Sequence, residues 1–490
     1  MKEIQNPPYA PSLMESMRSI GYSLEAALAD LIDNSISARA KKISIEFRTV
    51  GTPYVAIIDD GVGMTESILE TAMRHGSTSP LQQRDRDDLG RYGLGLKTAS
   101  LSQCRRMTVT TLQDGKLSAC CWDLDIVATR KEWVMLVLDE DDIQAIPHIN
   151  MLHEHGSGTI VLWQNLDKLA AGEASIESAL GNQMEIARDH LALVFHRYIN
   201  PETGRNRLAM VINRNPLAAL DPFLLDHSAT QVLDNDDFSV EGHKVMVKPF
   251  ILPHISKLSP PDLARAGGPD GLRNLQGFYV YRNRRLIIWG TWFRLAKKDE
   301  LGKLARVRVD IPNALDHLWT LDIKKSAAHP PDTVRQNLRR IIEQIRGRSG
   351  NTIRFRGRVK ESAALAPTWR EVDDRTGFRF DINRNHPLIQ SFSDRLSEES
   401  AIAFRSVLGL IEASLPIEAL YVRMASENKP AIDPAAALPK LREIACNLVG
   451  VLAIDSPIRE SLLDNLHNIE PFNLHAEATR KIIEELKKNG

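Results

Sequence analysis

The sequence predicts an α/β protein in three parts, and three observations carry that prediction. From Ile43 to about Asp167, strand-like runs ("KKISIEF", "YVAIID", "RRMTVTTL", "KEWVMLVL", "GTIVLW") alternate with helical or loop segments, the pattern of a layered α/β sandwich. A helical stretch, "SIESALGNQMEIARDHLALVFHRYIN", separates this from a second mixed region at roughly 200–340, with "RLAMVINR", "HKVMVKPFIL", "GFYVYRNRRLIIWG" and "RVRVDIP" as strands. That region ends in the helix "PDTVRQNLRRIIEQI", where Pro331 suits a first-turn position. Beyond Arg346 the chain turns basic and then mostly helical. The expected domains are 1–172, 173–345 and 346–490.

Composition bounds the partners. With 43% apolar and 26% charged residues over 490 positions, the chain is globular and not disordered. Lys+Arg 62 against Asp+Glu 63 leaves no global field toward nucleic acid or membrane, so any basic contact surface is local. The N-terminus lacks the apolar core of a signal peptide, and no run approaches the ~18 apolar residues of a membrane span. A cytoplasmic protein with no membrane contact is expected. Cys104 and Cys446 are isolated and Cys120 and Cys121 adjacent, which fits neither metal-ligand spacing nor a disulfide framework, so they read as reduced packing residues.

The first element to justify is the helix in "ALADLIDNSISARAKKISIEF". At roughly 100° per residue, Leu24, Leu28, Leu31, Ile32 and Ile36 share one face, and Ala26, Ala27, Asp30, Asp33, Asn34 and Ser37 the other. The second face has no Lys, Arg or Glu. Alanines and short polar groups there suit close approach of a ligand; a solvated or capping face is the competing reading.

Next, "VAIIDDGVGM" is a buried strand that breaks at Asp59 into a loop with Gly61 and Gly63. Glycines remove Cβ atoms, so a planar ligand can lie against the backbone, and a carboxylate there accepts from an exocyclic amine, which favours adenine over guanine. Third, in "DLGRYGLGLKTASLSQC" the glycines Gly90, Gly93 and Gly95 precede Lys97 and a helix-like run. Backbone N–H groups at a helix N-terminus make an anion site, with Lys97 as a mobile positive charge for phosphate. A P-loop is excluded, because Leu96 separates Gly95 from Lys97 and the preceding "LQQRDRDDL" is no buried strand.

The order "DLIDNSISA", "DDGVGM", "GRYGLGLKTAS" and "GSGTIVLW" resembles the GHKL ATPases, the superfamily of gyrase, Hsp90, histidine kinases and MutL, and is most similar to the bacterial microrchidia (MORC)-like branch. The resemblance covers about residues 12–167 and, more loosely, the second region to about 345. It implies a Bergerat-type α/β sandwich that binds ATP and Mg²⁺, followed by an S5-like transducer domain. By position, Asp30 would be the catalytic base and Asn34 the Mg²⁺ ligand, with Asp33 a second contributor. Asp59 would bind the adenine amine, and Gly61, Gly63 and Met64 would shape the base pocket. Gly93, Leu94, Gly95, Leu96 and Lys97 would cradle the phosphates, and Thr159 would support the adenine end. The family usually places Glu where this chain has Asp30, one methylene shorter, which implies slow hydrolysis.

The polar stretch "RHGSTSPLQQRDRDDLGRY" reads as a lid or an ordinary solvated loop, and His75 as a packing or capping residue and not a catalytic one. In GHKL proteins that dimerise on ATP, a lysine from the second domain reaches the γ-phosphate; "LWTLDIKKSAAHPPD" supplies Lys324 and Lys325, of which Lys325 is preferred. Arg335 to Lys360 gathers nine basic residues against Glu343 alone, and 282–308 adds another basic stretch with Trp289 and Trp292, so both are candidate DNA-contacting segments. The resemblance thus implies a homodimer formed on ATP, a DNA clamp, and partners in a restriction or antiviral defence system. An Hsp90-like chaperone and an ATP-binding scaffold are the rivals. A histidine kinase does not fit, because only about 20 residues precede the first motif.

Overall fold

The computed structural model describes residues 8–19, 21–75, 95–170, 175–267, 271–315, 318, 320–321, 328–354, 367–374, 377–417, 434–450, 457–468, 472 and 476–488. The β-branched runs of the first part pair into one eight-stranded sheet. Its strands are β1 Lys42–Arg48, β2 Tyr54–Asp59, β3 Arg106–Gln113, β4 Lys116–Asp123, β5 Leu136–Val137, β6 Gly158–Gln164, β7 Ala209–Ile212 and β8 Asn215–Pro216. Their order is β5-β4-β3-β6-β2-β1-β7-β8, antiparallel except for the parallel pair β1 and β7.

Both faces of this sheet are covered. Period-two alternation along β2 sends Val55 and Ile57 into the main helical layer, and Ala56 and Ile58 into a second core with Ile149, Leu152, Ile160 and Leu162. The helical layer contains α1 Ala10–Arg18, α2 Leu24–Ser37, α3 Glu66–Met73, α4 Gly95–Gln103 and α5 Ile176–Val194. Helix α5, expected as a separator, packs on α2 and commits Leu180, Met184, Ala187 and Leu191 to the first core at helical spacing. The sheet likewise takes β7 and β8 from beyond residue 172. Of the run "KEWVMLVL", only Leu136–Val137 is strand, a short edge on β4.

The second sheet comprises β9 Gln231–Val232, β10 Phe238–Val240, β11 His243–Ile251, β12 Gly277–Arg282, β13 Arg285–Thr291 and β14 Ala305–Ile311. Its order is β10-β11-β14-β12-β13, with β9 on β11. Helix α6 Asp332–Arg354 buries Val334, Leu338, Ile341, Ile342 and Ile345 in the same core. The run "GFYVYRNRRLIIWG", expected as one strand, is a hairpin that turns at Asn283 (φ 47°) and Arg284 (φ 68°). Two consecutive left-handed residues make the turn that suits strand twist, and the sequence hides it because neither is glycine. Beyond it, β15 Thr320–Leu321 pairs with β16 Ala328–His329.

The chain forms two compact units, Met1–Arg356 and Gly357–Gly490. In the second, the hairpin β17 Trp369–Asp374 and β18 Gly377–Ile382 is tied to the helix Glu398–Ala413 by the Ile382 N–H donating to Glu412 Oε1 at 2.6 Å. The helices Pro434–Gly450 and Ala476–Lys488 share a small core of Leu441, Ala445, Leu466, Phe472 and Ile482.

Candidate functional site

Asp59 closes β2 at a junction of three elements. It is 5% exposed; its Oδ1 accepts from the Gly61 N–H at 2.9 Å and its Oδ2 from the Ser35 hydroxyl of α2 at 2.8 Å. Burial pushes the carboxyl above its ordinary pKa, opposed by the Gly61 N–H, the Ser35 hydroxyl and the Thr159 N–H. A carboxylate has about four acceptor directions, so capacity remains for one further donor. Thr159 lies directly opposite Asp59 in the register of β2 and β6.

The glycines around Asp59 make room for backbone, where the sequence suggested room for a planar ligand. Gly63 sits at φ +68°, and a Cβ there would lie 2.2 Å from the Leu112 carbonyl oxygen; Gly158, at φ +139°, would place one 2.0 Å from the Asp59 carbonyl oxygen. They let the "DDGVGM" loop and the start of β6 press against the end of β2. Gly61 is buried beside Ala38, and its carbonyl accepts from the Ser157 hydroxyl at 2.8 Å. Met64 is half-buried against the first core, and its N–H donates at 2.8 Å to Thr111 Oγ1, which donates at 3.1 Å to the Gly158 carbonyl. Ser35, Thr111, Ser157 and Gly158 thus support the site, although the sequence motifs gave none of them a role. Strand register, which sets Thr111 opposite Thr159, is the signal that would have found Thr111.

The acidic face of α2 is divided. Asp33 and Ala27 are buried, Asp30 is half-buried, and Asn34 and Ser37 are exposed. Asp30 faces the third motif: a Cβ built on Gly95 would stand 4.0 Å from Asp30 Oδ2, which also accepts from the Tyr22 hydroxyl at 3.2 Å. Gly95, Leu96 and Lys97 form the first turn of α4, where backbone N–H groups have no intrahelical acceptor. Leu96 packs its side chain on the first core. Asp33, weighed as a contributor to hydrolysis, is instead engaged by Arg285 of β13, whose Nε lies 2.7 Å from its Oδ1.

Lys97 is not the mobile charge expected. It is 1% exposed, and its ammonium donates to the Ala72 and Arg74 carbonyls at 2.7 and 2.9 Å, capping the C-terminal end of α3. Burial lowers its pKa to about 8. His75 packs between the rings of Trp122 and Trp133, each 5.4 Å away, and burial with the nearby Lys97 charge lowers its pKa to about 4, in keeping with a packing role. Gly93, Leu94, Lys324 and Lys325, and the stretch 76–94 with its lid reading, lie outside the described residues.

Among the described residues no group of three or more His, Cys, Asp or Glu could hold a metal. A Mg²⁺ here would take one oxygen from the exposed Asn34 amide and the rest from phosphate and water, which suits that cation's reluctance to shed water. The basic stretches are partly spent internally. Arg282, Arg285 and Arg306 are buried, Trp292 is 2% exposed, and Trp289 packs on His190. Arg340 pairs with Asp236 at 2.6 Å, Arg346 pairs with Asp299, and residues 355–360 lie outside the described set. Among the described residues, Arg339 and Arg348 on α6 and Arg294, Lys297 and Lys298 after β13 are exposed, with the Lys298 ammonium donating to the Asn274 carbonyl.

Residues 22–159 match the family model of the histidine kinase-, DNA gyrase B- and HSP90-like ATPases. The DNA mismatch repair protein MutL of Thermoanaerobacter sp. (strain X514) is 34% identical over 90 residues, 18% of this chain and 15% of that protein. MutL of Rickettsia akari is 30% identical over 91 residues, with the same two shares of 18% and 15%. The ATPase morc-1 of Caenorhabditis elegans is 30% identical over 95 residues, 19% of this chain and 11% of that protein. The chain therefore spans about 15% of the length of the MutL proteins it matches. A crystal structure of the N-terminal domain of a DNA repair protein covers 69% of this chain and 98% of its own, at 14% identity and a TM-score of 0.42. None of the described helices is long and apolar enough to cross a membrane. With Asp59, α2 and the start of α4 converging inside the matched span, residues 22–159 are a GHKL-superfamily ATPase domain with weak likeness to MutL and MORC proteins.

Proposed function

We propose that this protein binds Mg-ATP in the pocket formed by α2, Asp59 and the start of α4, hydrolyses it slowly, and uses the cycle to close and open a homodimeric clamp on DNA. The observation that carries the reading is the buried Asp59 carboxylate, bound at one oxygen by Gly61 and at the other by Ser35, with acceptor capacity to spare. That acceptor selects a purine with an exocyclic amine, and the first-turn N–H groups of α4, which have no intrahelical acceptor, suit phosphate. When bound, Mg²⁺ supplies charge neutralisation at the phosphates, and Asn34 would give it one oxygen.

Asp30 then acts as the base that takes a proton from the attacking water. It stands across from Gly95, where the phosphate end of the pocket begins. Its shorter side chain limits reach, so slow turnover follows. Dimerisation through Lys324 or Lys325, DNA contact through the exposed cations of α6 and the residues after β13, and a role in restriction or antiviral defence extend the proposal from the MORC-like resemblance. Size measurement with ADP, ATP and a non-hydrolysable analogue tests it: dimers with ATP and the analogue but not ADP are expected, and a species of one size in all three conditions would refute the clamp.

A further inference from the structure

The hairpin tip between β12 and β13 brings a cation from the second sheet onto the acidic face of α2. Arg285 is 7% exposed; its Nε lies 2.7 Å from Asp33 Oδ1 and its terminal nitrogen 3.7 Å from Asp30 Oδ1. The shorter contact is close in distance but misaligned for a hydrogen bond, so one guanidinium serves two carboxylates by charge and not through a two-pronged fork. The Tyr22 hydroxyl meets the other oxygen of Asp30 at 3.2 Å, so each oxygen of that carboxylate has a neighbour that sets its orientation.

The tip is held with care. Asn283 and Arg284 both adopt left-handed backbone conformations, at φ 47° and 68°, which cost free energy in residues that are not glycine. The end of the first domain's helical layer secures them: the Tyr198 hydroxyl donates to the Asn283 carbonyl, the Arg284 guanidinium lies 4.2 Å from the Tyr198 ring centroid, and Arg285 lies 5.7 Å from that of Phe195. Strained turns persist where their surroundings over-determine them, and here the over-determined feature is the position of Arg285. Arg285 and Asp30 also line one cavity of about 460 Å³, together with Tyr22, Glu25, His190 and Trp289.

We propose that Arg285 is a positioning residue for hydrolysis: through it, the seating of the second sheet on α2 sets the orientation of Asp30, so the second sheet controls turnover. This rests on the ATPase reading above and adds a control point to it. The test compares the parent, Arg285→Gln, Arg285→Lys and the double variant Asp33→Asn/Arg285→Gln, in the full chain. Steady-state ATP hydrolysis gives kcat and KM, and amide hydrogen exchange over Leu24–Ser37 is read without nucleotide.

Arg285→Gln is expected to lower kcat about tenfold or more with KM within about threefold, and to speed exchange across α2, while Arg285→Lys recovers part of both. The double variant removes the buried pair as a unit, which spares the fold an unpaired charge, yet it should remain slow because Asp30 still lacks its guanidinium. A double variant that regains the parental kcat would reduce Arg285 to a structural partner of Asp33 and overturn the proposal. So would parental kcat and exchange in Arg285→Gln. A parent that neither binds nor hydrolyses ATP would instead sink the ATPase reading, while the exchange measurement would still report whether Arg285 orders α2.

Discussion

Replacing Asp59 with Asn changes one carboxylate oxygen into an NH₂ group, and the surrounding bonds dictate which one. The Gly61 N–H must keep an acceptor, so the amide oxygen takes the Oδ1 place and the NH₂ falls at Oδ2, beside Ser35. The Ser35 hydroxyl can turn to accept there and redirect its own proton to the Leu31 carbonyl, which already lies 3.4 Å away. Folding stability should therefore stay within about 1 kcal/mol of the parent. An incoming adenine amine loses a charged acceptor and meets a donor instead, at about 3 kcal/mol, or roughly a hundredfold or more in Kd.

Calorimetry with ATP and Mg²⁺, paired with urea melts, measures both quantities. An Asp59→Asn variant that melts like the parent and also binds ATP like the parent would refute the assignment of Asp59 as the base-recognising group. Acid melts carry a second signature of this carboxyl. Because burial raises the folded pKa of Asp59 above 3.8, the parent loses stability as pH rises from 3.8 through the folded value, and the variant lacks that loss.

Asp30→Asn should bind ATP with near-parental affinity and lose turnover by about a hundredfold, measured in single-turnover assays; undiminished hydrolysis would remove Asp30 from the role of base. Gly158→Ala forces a Cβ to 2.0 Å from the Asp59 carbonyl oxygen at φ +139°, so urea melts should show a loss of about 3 kcal/mol or more, and a parental midpoint would refute the packing argument. His196 is buried against the Tyr281 hydroxyl at 2.7 Å, and burial, with Arg197 and Arg308 nearby, lowers its pKa to about 3. His190 is likewise lowered to about 4 by burial and by Arg285. Both imidazoles stay neutral in the folded protein while the unfolded chain takes up protons below pH 6.5. Their contribution is thus complete above 6.5 and falls away toward pH 3–4, at up to about 1.4 kcal/mol per pH unit for each; NMR midpoints near 6.5 would contradict this.

Local chemistry made the three motifs that meet along α2 readable from residue order. Asp30 and Asn34 one turn apart, Asp59 at a strand end before glycines, and Gly95 opening a helix are short-range patterns, and the fold brings Asp30, Gly95 and the Asp59 junction together along α2. The same short-range logic misjudged the glycines and Lys97, because what a missing Cβ or an ammonium meets depends on segments distant in sequence. Leu112 blocks a side chain at Gly63, and the end of α3 captures Lys97.

Sequence alone therefore determined the helix and strand periods, the acidic and glycine motifs, and the class of ligand those groups suit, since each follows from backbone geometry within a few residues. Tertiary structure decided which polar groups are spent and which remain available. It buried Arg282, Arg285 and Arg306 in what read as an exposed basic stretch, turned a hairpin at two residues that are not glycine, and set Arg285 against Asp33. Such pairings join residues some 250 positions apart. They arise from how sheet and helix layers stack, and no local propensity encodes that stacking.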